Sequence, residues 1–142
     1  MDWRCRPFAE LDAATVYAML RLRSEVFVVE QRCVFLDIDG QDDKAWHLTG
    51  HGEDGALLAY CRLFAGAKIG RVLTAASARG SGAGRELMER GLAECARLWP
   101  GASVCISAQA HLQRFYESLG FVLSSEPYDE DGIVHIEMER TS

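Results

Sequence analysis

Arg79-Gly80-Ser81-Gly82-Ala83-Gly84-Arg85 follows a run with strand character, Ile69 to Ala75, and opens a strongly periodic helical stretch. Glycines let a backbone turn tightly and approach a ligand, and the first N–H groups of a helix lack internal partners and point at an anion. The chemistry on offer is phosphate binding, with Arg79 and Arg85 adding positive charge at either end. The same pattern also serves a bare turn between strand and helix. A second block, Gln109-Ala110-His111-Leu112-Gln113-Arg114-Phe115-Tyr116, ends in a phenol that could donate a proton and runs on to Gly120-Phe121. By periodicity alone Tyr116 is equally a core aromatic on the apolar face of a short helix.

These residues need a scaffold, and the chain spells one out. Trp3 to Pro7 alternates as a strand does, and Asp12 offers an N-cap to a helix carrying Val16, Met19, Leu20, Arg23, Val26 and Phe27 to about Val29. Strands are predicted at Trp46–Gly50, Leu57–Phe64 and Ile69–Thr74, joined by hairpin-sized turns and therefore antiparallel. A helix through Leu87, Met88, Gly91, Leu92, Cys95 and Leu98 stops at Pro100-Gly101. The strand after it, Ser103–Ser107, must run parallel to Ile69–Thr74 because a helix joins them. A short helix striped by Leu112, Phe115, Tyr116 and Leu119 follows, then Phe121–Ser124 and Ile133–Glu139 around the turn-prone Asp129 to Gly132. The fold class is α/β: a mixed, mostly antiparallel sheet with one central parallel junction, flanked by helices. A crevice is expected where the parallel strands part.

Composition narrows the function. The 142 residues suit a single domain over 1–142, 49% apolar and 25% charged. No apolar run approaches the ~18 residues that span a bilayer, and the charged N-terminus lacks a signal-peptide core, so the expected address is the cytoplasm. Five scattered cysteines with no C-x-x-C pair argue for reduced thiols and no metal. A net charge of −6 without a basic stripe argues against a nucleic-acid partner. The acidic loop Asp37 to Asp43 is not a calcium loop: counted from Asp37, glycine falls at the fourth position and leucine at the twelfth.

Together the two blocks make the chain resemble the GNAT superfamily of acyl-CoA-dependent N-acetyltransferases over essentially its whole length. Arg79, Gly82 and Gly84 match that family's pyrophosphate loop, and Gln109 and Tyr116 stand seven apart where the family has asparagine and tyrosine. Val26 to Gln31, Asp37 to Gly40 and Ala108 to Leu112 look more narrowly like the ElaA-type subgroup. The resemblance implies that the fourth strand and its parallel neighbour splay at a bulge, with the pantetheine arm of acetyl-CoA in the gap. Val72, Leu73 and Thr74 would then contact the arm and thioester through backbone groups, and the amides of Arg79, Gly80, Ser81, Gly82, Ala83, Gly84 and Arg85 would hold the pyrophosphate. Gln109 would supply a polar contact, and Tyr116 would protonate the departing thiolate.

The resemblance implies no general base, because Val104 and Arg71 to Leu73 stand where relatives carry an acid. The candidates are Glu30, His47, His111 and Asp39, with Glu30 and Asp39 also as acceptor contacts. Cys105 is the thiol expected beside the gap. The expected acceptor is a small-molecule or peptide amine, with no nucleic acid, no membrane and a homodimer left open. Two other readings stay in view: an acyl-homoserine-lactone-synthase-like enzyme, from Arg23-Ser24-Glu25-Val26-Phe27 and the acidic stretch, and a non-catalytic acyl-CoA-binding module.

Overall fold

In a computed structural model, residues 1–141 are described, and among them eight strands form one sheet in the order β1-β2-β3-β4-β5-β8-β6, with β7 also paired to β8. The strands are β1 Asp2–Pro7, β2 Trp46–His51, β3 Leu57–Phe64, β4 Lys68–Thr74, β5 Val104–Gln109, β6 Val122–Leu123, β7 Tyr128–Glu130 and β8 Ile133–Arg140. The helices are α1 Ala13–Arg23, α2 Ala83–Leu98 and α3 Gln113–Glu117. Among the described residues only β4 and β5 run parallel. No helix of the described residues is long and apolar enough to cross a membrane.

Asp12 caps α1 as expected, its carboxylate accepting the Thr15 N–H at 2.8 Å. The helix does not continue regularly to Val29. From Ser24 to Glu30 it widens into a π-helix, with Gln31 N–H bonded to the Val26 carbonyl and Cys33 N–H to that of Val28. Val26, Val28 and Val29 crowd an α turn through their branched Cβ atoms, which favours the wider winding. Two cores result. Leu48, Cys61, Leu63, Ile69, Leu87, Met88 and Met138 fill the face under α2, and Met19, Leu22, Val26, Tyr60 and Leu73 fill the face under α1. At Gly91 a Cβ would stand 3.4 Å from Ile69 Cδ1 and 3.8 Å from Cys61 Sγ, so glycine lets α2 lie close on the sheet.

The C-terminal third departs from expectation. The predicted pair of strands is three, because Asp131 and Gly132 both adopt the left-handed region (φ 52° and 83°) and make a two-residue hairpin turn. Tyr128–Glu130 thereby pairs with Ile133–His135, and the strand expected at Phe121–Ser124 shrinks to Val122–Leu123. β5 extends to Gln109, and a 3-10 turn over Ala110–Leu112 precedes a shorter α3.

The parallel junction is brief. β4 and β5 pair only at Lys68–Cys105 and Ile69–Ile106. Beyond Ile69 an extra residue enters β4: Tyr60 faces Leu73 while Arg62 faces Gly70, and Arg71 sits at φ 50°. A bulge of this kind bends the strand and ends its pairing.

What fixes the bulge is a set of three arginines and three aspartates, of which Arg23, Arg62, Asp37 and Asp42 are buried and Arg71 and Asp39 half-buried. Arg71 donates to Asp37 at 2.9 Å and lies over the Phe35 ring at 5.3 Å. Arg23, with no exposed surface, reaches Asp37 at 2.9 Å and Asp42 at 2.7 Å. Arg62 reaches Asp39 at 2.5 Å and Asp42 at 3.0 Å. The network ties α1, the 37–42 loop, β3 and the β4 bulge into one unit. The Arg62 hydrogen bonds hold the Asp39 carboxyl well below the usual carboxylate range. For Asp42 burial pulls the other way, and the hydrogen bonds and charges of Arg23 and Arg62 overcome it to lower its pKa too.

Removing one arginine strands buried carboxylates. Arg23→Met, which keeps the volume, should cost about 3 kcal/mol in a urea titration, near the low end for a broken buried pair because Arg62 and Arg71 remain. Depressed carboxyl pKa values stabilise the fold above the unfolded value of about 3.9 and lose that contribution as pH falls through the folded values. Thermal melts should therefore drop steeply below about pH 4, and the drop should flatten in Asp39→Asn/Asp42→Asn.

Candidate active site

Where β4 and β5 part, a cleft of about 1100 Å³ opens, walled by Gly70 to Thr74 on one side and Ile106 to Gln109 on the other. Past Ile69 no ladder partner among the described residues meets the β4 edge that faces this gap. Its backbone donors and acceptors are thus available to an extended ligand. The π-helix supplies a third wall through Val26, Phe27, Glu30 and Gln31, and the β7–β8 hairpin a fourth through Glu130, Asp131, Ile133 and His135.

Val72, Leu73, Thr74, Gln109, His111 and Tyr116 all line the cleft, as do Arg79 and Glu30. Gly80 to Arg85 lie beyond its walls, at the start of α2. Gly80 and Gly82 have φ of 79° and 84°, Gly82 is the helix N-cap, and no side chain among the described residues caps it. A Cβ built on Gly80, Gly82 or Gly84 would meet nothing within 4 Å, so the N-terminus of α2 is open to an incoming anion. Ser81 Oγ donates to the Ala78 carbonyl at 2.5 Å and braces the turn. The two arginines already have partners. Arg79 is gripped by both Glu30 oxygens, at 2.5 and 3.1 Å, and reaches the Thr74 carbonyl at 3.3 Å. Arg85 donates to Ser118 Oγ at 2.6 Å and packs over Phe115.

Tyr116 sits on α3 with 6% exposure, edge-on to Phe115 and Phe121 at 5.1 and 5.9 Å. Burial, with a smaller push from Cys61, raises its phenol to about 12, so the hydroxyl keeps its proton at neutral pH. Among the described residues that hydroxyl has no hydrogen-bond partner, and it is not sealed from solvent. Gln109, at the end of β5, donates to Gln31 Oε1 at 3.2 Å and links the two walls.

The base candidates scatter. His47 is fully buried on β2, away from the cleft, with Nδ1 2.7 Å from Tyr60 Oη and Nε2 2.9 Å from the Asp42 carbonyl. Burial lowers its pKa, which keeps the ring neutral, but no substrate reaches it, and the expectation for His47 is corrected. Asp39 is likewise corrected as an acceptor contact: Arg62 engages both its oxygens and Arg71 also reaches it. Glu30 is occupied by Arg79, and His111 is exposed at the rim. Cys105 pairs across from Lys68 and does not line the cleft; the thiol that does is Cys33, whose S–H donates to the Asp131 carbonyl at 3.1 Å.

The sheet also carries a polar face that no single stretch of sequence singles out. Ser107 and Gln109 on β5 stand opposite Glu137 and His135 on β8, and Tyr128 on β7 stands opposite His135. Cross-strand partners point the same way, so these side chains share one face. The face opposite them carries Ile106, Ala108, Ile136 and Met138 of the core. A period-two alternation in Ser107-Ala108-Gln109 and His135-Ile136-Glu137 was the available signal. It needed the β5–β8 pairing to become a site.

Residues 25–142 match the family model of the acetyltransferase (GNAT) domain. ElaA of Escherichia coli is 42% identical over 148 residues, covering 99% of this chain and 96% of its own, and a UPF0039 protein of Synechocystis is 42% identical over 144 residues, covering 97% and 94%. The crystal structure of E. coli ElaA superposes with a TM-score of 0.93 over 99% of both chains. That of an acyl-CoA N-acyltransferase from Pseudomonas aeruginosa, 47% identical, gives 0.92, also over 99% of both. With the splayed β4–β5 junction, the open start of α2 and these similarities, the chain belongs to the GNAT acetyltransferases, has their fold, and is an N-acetyltransferase similar to ElaA.

Proposed function

We propose that this chain acts in the cytoplasm as one domain, moving the acetyl group of acetyl-CoA to a primary amine by direct transfer within a ternary complex. The observation that carries this reading is the unpaired edge of β4, which leads from the fork at Ile69 to the uncapped, glycine-opened start of α2. An extended pantetheine arm matches the edge, and a pyrophosphate matches the helix end, where the dipole favours negative charge by about 0.3–1 kcal/mol at an exposed site. Backbone groups of Val72, Leu73 and Thr74 hold the arm, and a donor near Leu73 polarises the thioester carbonyl. The amides from Arg79 to Arg85 take the pyrophosphate, and Arg79 reorients from Glu30 to join them.

Tyr116 faces the departing sulfur. A phenol raised to about 12 stays protonated, and full transfer to a thiolate that by itself ionises near ~8.5 runs uphill. The hydroxyl therefore acts first as a hydrogen-bond donor to charge building on sulfur and gives up its proton late. Aligning two bound reactants supplies much of the remaining acceleration. Glu130 and Asp131 at the cleft wall add negative potential, which favours a cationic amine.

The test is thiol release from acetyl-CoA with a panel of spermidine, tyramine, glucosamine, kanamycin and a lysine peptide. Tyr116→Phe keeps the aromatic contacts and should lower kcat about 10²-fold, with acetyl-CoA affinity held within about twofold. A burst of thiol release before any amine is added, or an unchanged kcat in Tyr116→Phe, would contradict direct transfer with Tyr116 as donor.

A further inference from the structure

We infer that Ser107, Tyr128 and Glu137 form the route by which the amine's proton leaves the cleft, with Glu137 as its acceptor; this rests on the acetyl-transfer reading above. The three side chains are linked end to end. Ser107 Oγ and Tyr128 Oη are hydrogen-bonded, and Tyr128 Oη donates to Glu137 Oε1 at 2.7 Å.

The direction of the chain follows from proton counting. An ionised carboxylate only accepts, so the single phenolic hydrogen of Tyr128 belongs to Glu137. Tyr128 oxygen then accepts from Ser107, whose own hydrogen is committed. Ser107 lines the cleft, and the lone pairs left on its oxygen are acceptors for an N–H there. Its place in the fold is the relevant one: Ser107 is the first β5 residue past Ile106, the last to pair with β4, so it sits at the vertex of the fork.

The amine attacks in its neutral form, its ammonium proton having gone to water before it enters the cleft; as the nitrogen bonds to the carbonyl carbon, its N–H bond breaks toward Ser107 Oγ and the C–S bond opens, the sulfur taking the Tyr116 proton. The Ser107 hydrogen moves to Tyr128 Oη, and the Tyr128 hydrogen moves to Glu137. One proton enters the chain and one reaches the carboxylate, which returns it to water from a half-buried position. Among the described residues no cation pairs with Glu137, so its carboxylate is not engaged in an ion pair.

The neighbouring His135 does not replace it. Its Nδ1 lies 2.8 Å from the Ile133 carbonyl and its Nε2 3.3 Å from Glu130, so both ring nitrogens are turned to neighbours on the β7–β8 hairpin. His135 instead stacks on the Tyr128 ring at 6.1 Å and holds it in place. The charged and titratable groups around the relay are Tyr128 and Glu130 on β7, Cys105 on β5, Lys68 on β4, and His135 and Glu139 on β8.

The experiment measures kcat, amine KM and the pH dependence of kcat/KM, using the panel amine that turns over fastest, for wild type, Ser107→Ala, Tyr128→Phe and Glu137→Gln. Acetyl-CoA affinity is measured alongside as the control for folding. The wild type should show an acidic limb in which the amine's own ionisation and the relay both take part, and Glu137→Gln should reduce it to the amine's contribution while lowering kcat about 10²-fold. Tyr128→Phe should do the same with its ring still stacked, and Glu137→Asp should restore part of the rate and the limb. A kcat within about threefold of wild type with the limb intact in Glu137→Gln and Tyr128→Phe overturns the relay. So does an equal loss of acetyl-CoA affinity in all three variants, which marks a structural role. If wild type binds acetyl-CoA but acetylates no panel amine, the transfer reading itself fails, and the relay with it.

Discussion

The structure depends on the hold that Asp37 has on Arg71. That contact keeps an arginine in the left-handed region in the middle of β4, a conformation that costs a non-glycine residue roughly 1–2 kcal/mol, and so maintains the bulge that turns β4 away from β5. Asp37 is itself held by Arg23, and Asp42 and Asp39 pass the constraint on to Arg62 in β3. Without the bulge β4 and β5 would zip together and there would be no gap for a ligand. An ion network of this burial contributes little net stability over an apolar replacement. Its contribution here is shape, since it specifies where the sheet must open.

The opening separates two chemistries across one fork. On the side of α2 and α3 lie the glycine-opened helix start and a phenol whose proton burial secures, suited to an anionic donor and a leaving thiolate. On the opposite face of β5, β7 and β8 lie Ser107, Tyr128, His135 and Glu137, suited to handling a proton from the attacking nitrogen. The π-helix after α1 contributes by turning Phe27, Glu30 and Gln31 onto the same gap, where Glu30 holds Arg79 and Gln31 meets Gln109.

Much of this was legible in the sequence because it is local. The cap at Asp12, the strand Leu57–Phe64, the helix closed by Pro100-Gly101 and the parallel sense of β5 follow from side-chain period, capping and the geometry of a crossover. The glycine loop is local too, whereas the place of Tyr116 at the cleft was legible only through the family resemblance, since by period alone it reads equally as a core aromatic. What escaped depends on contacts far apart in the chain. The acidic loop offered only Asp39, as a base or an acceptor contact, yet Asp37 and Asp42 are buried by arginines contributed from α1, β3 and β4. His47 read as a candidate base, and only the β2–β3 pairing reveals that it points at Tyr60. The Ser107–Tyr128–Glu137 row needs two strand registers at once, and neither strand signals it alone.

If the start of α2 holds the pyrophosphate of acetyl-CoA, as proposed, calorimetric titration of acetyl-CoA into wild type, Gly82→Ala and Gly82→Glu will reveal it. Both variants share the strain of a side chain at φ 84°, but only glutamate brings a negative charge to the anion site. Wild type should bind saturably, Gly82→Ala should lose affinity modestly, and Gly82→Glu should lose at least about 10²-fold. Equal affinity in wild type and Gly82→Glu would contradict it, because the phosphates would then be held somewhere other than the loop that begins at Arg79.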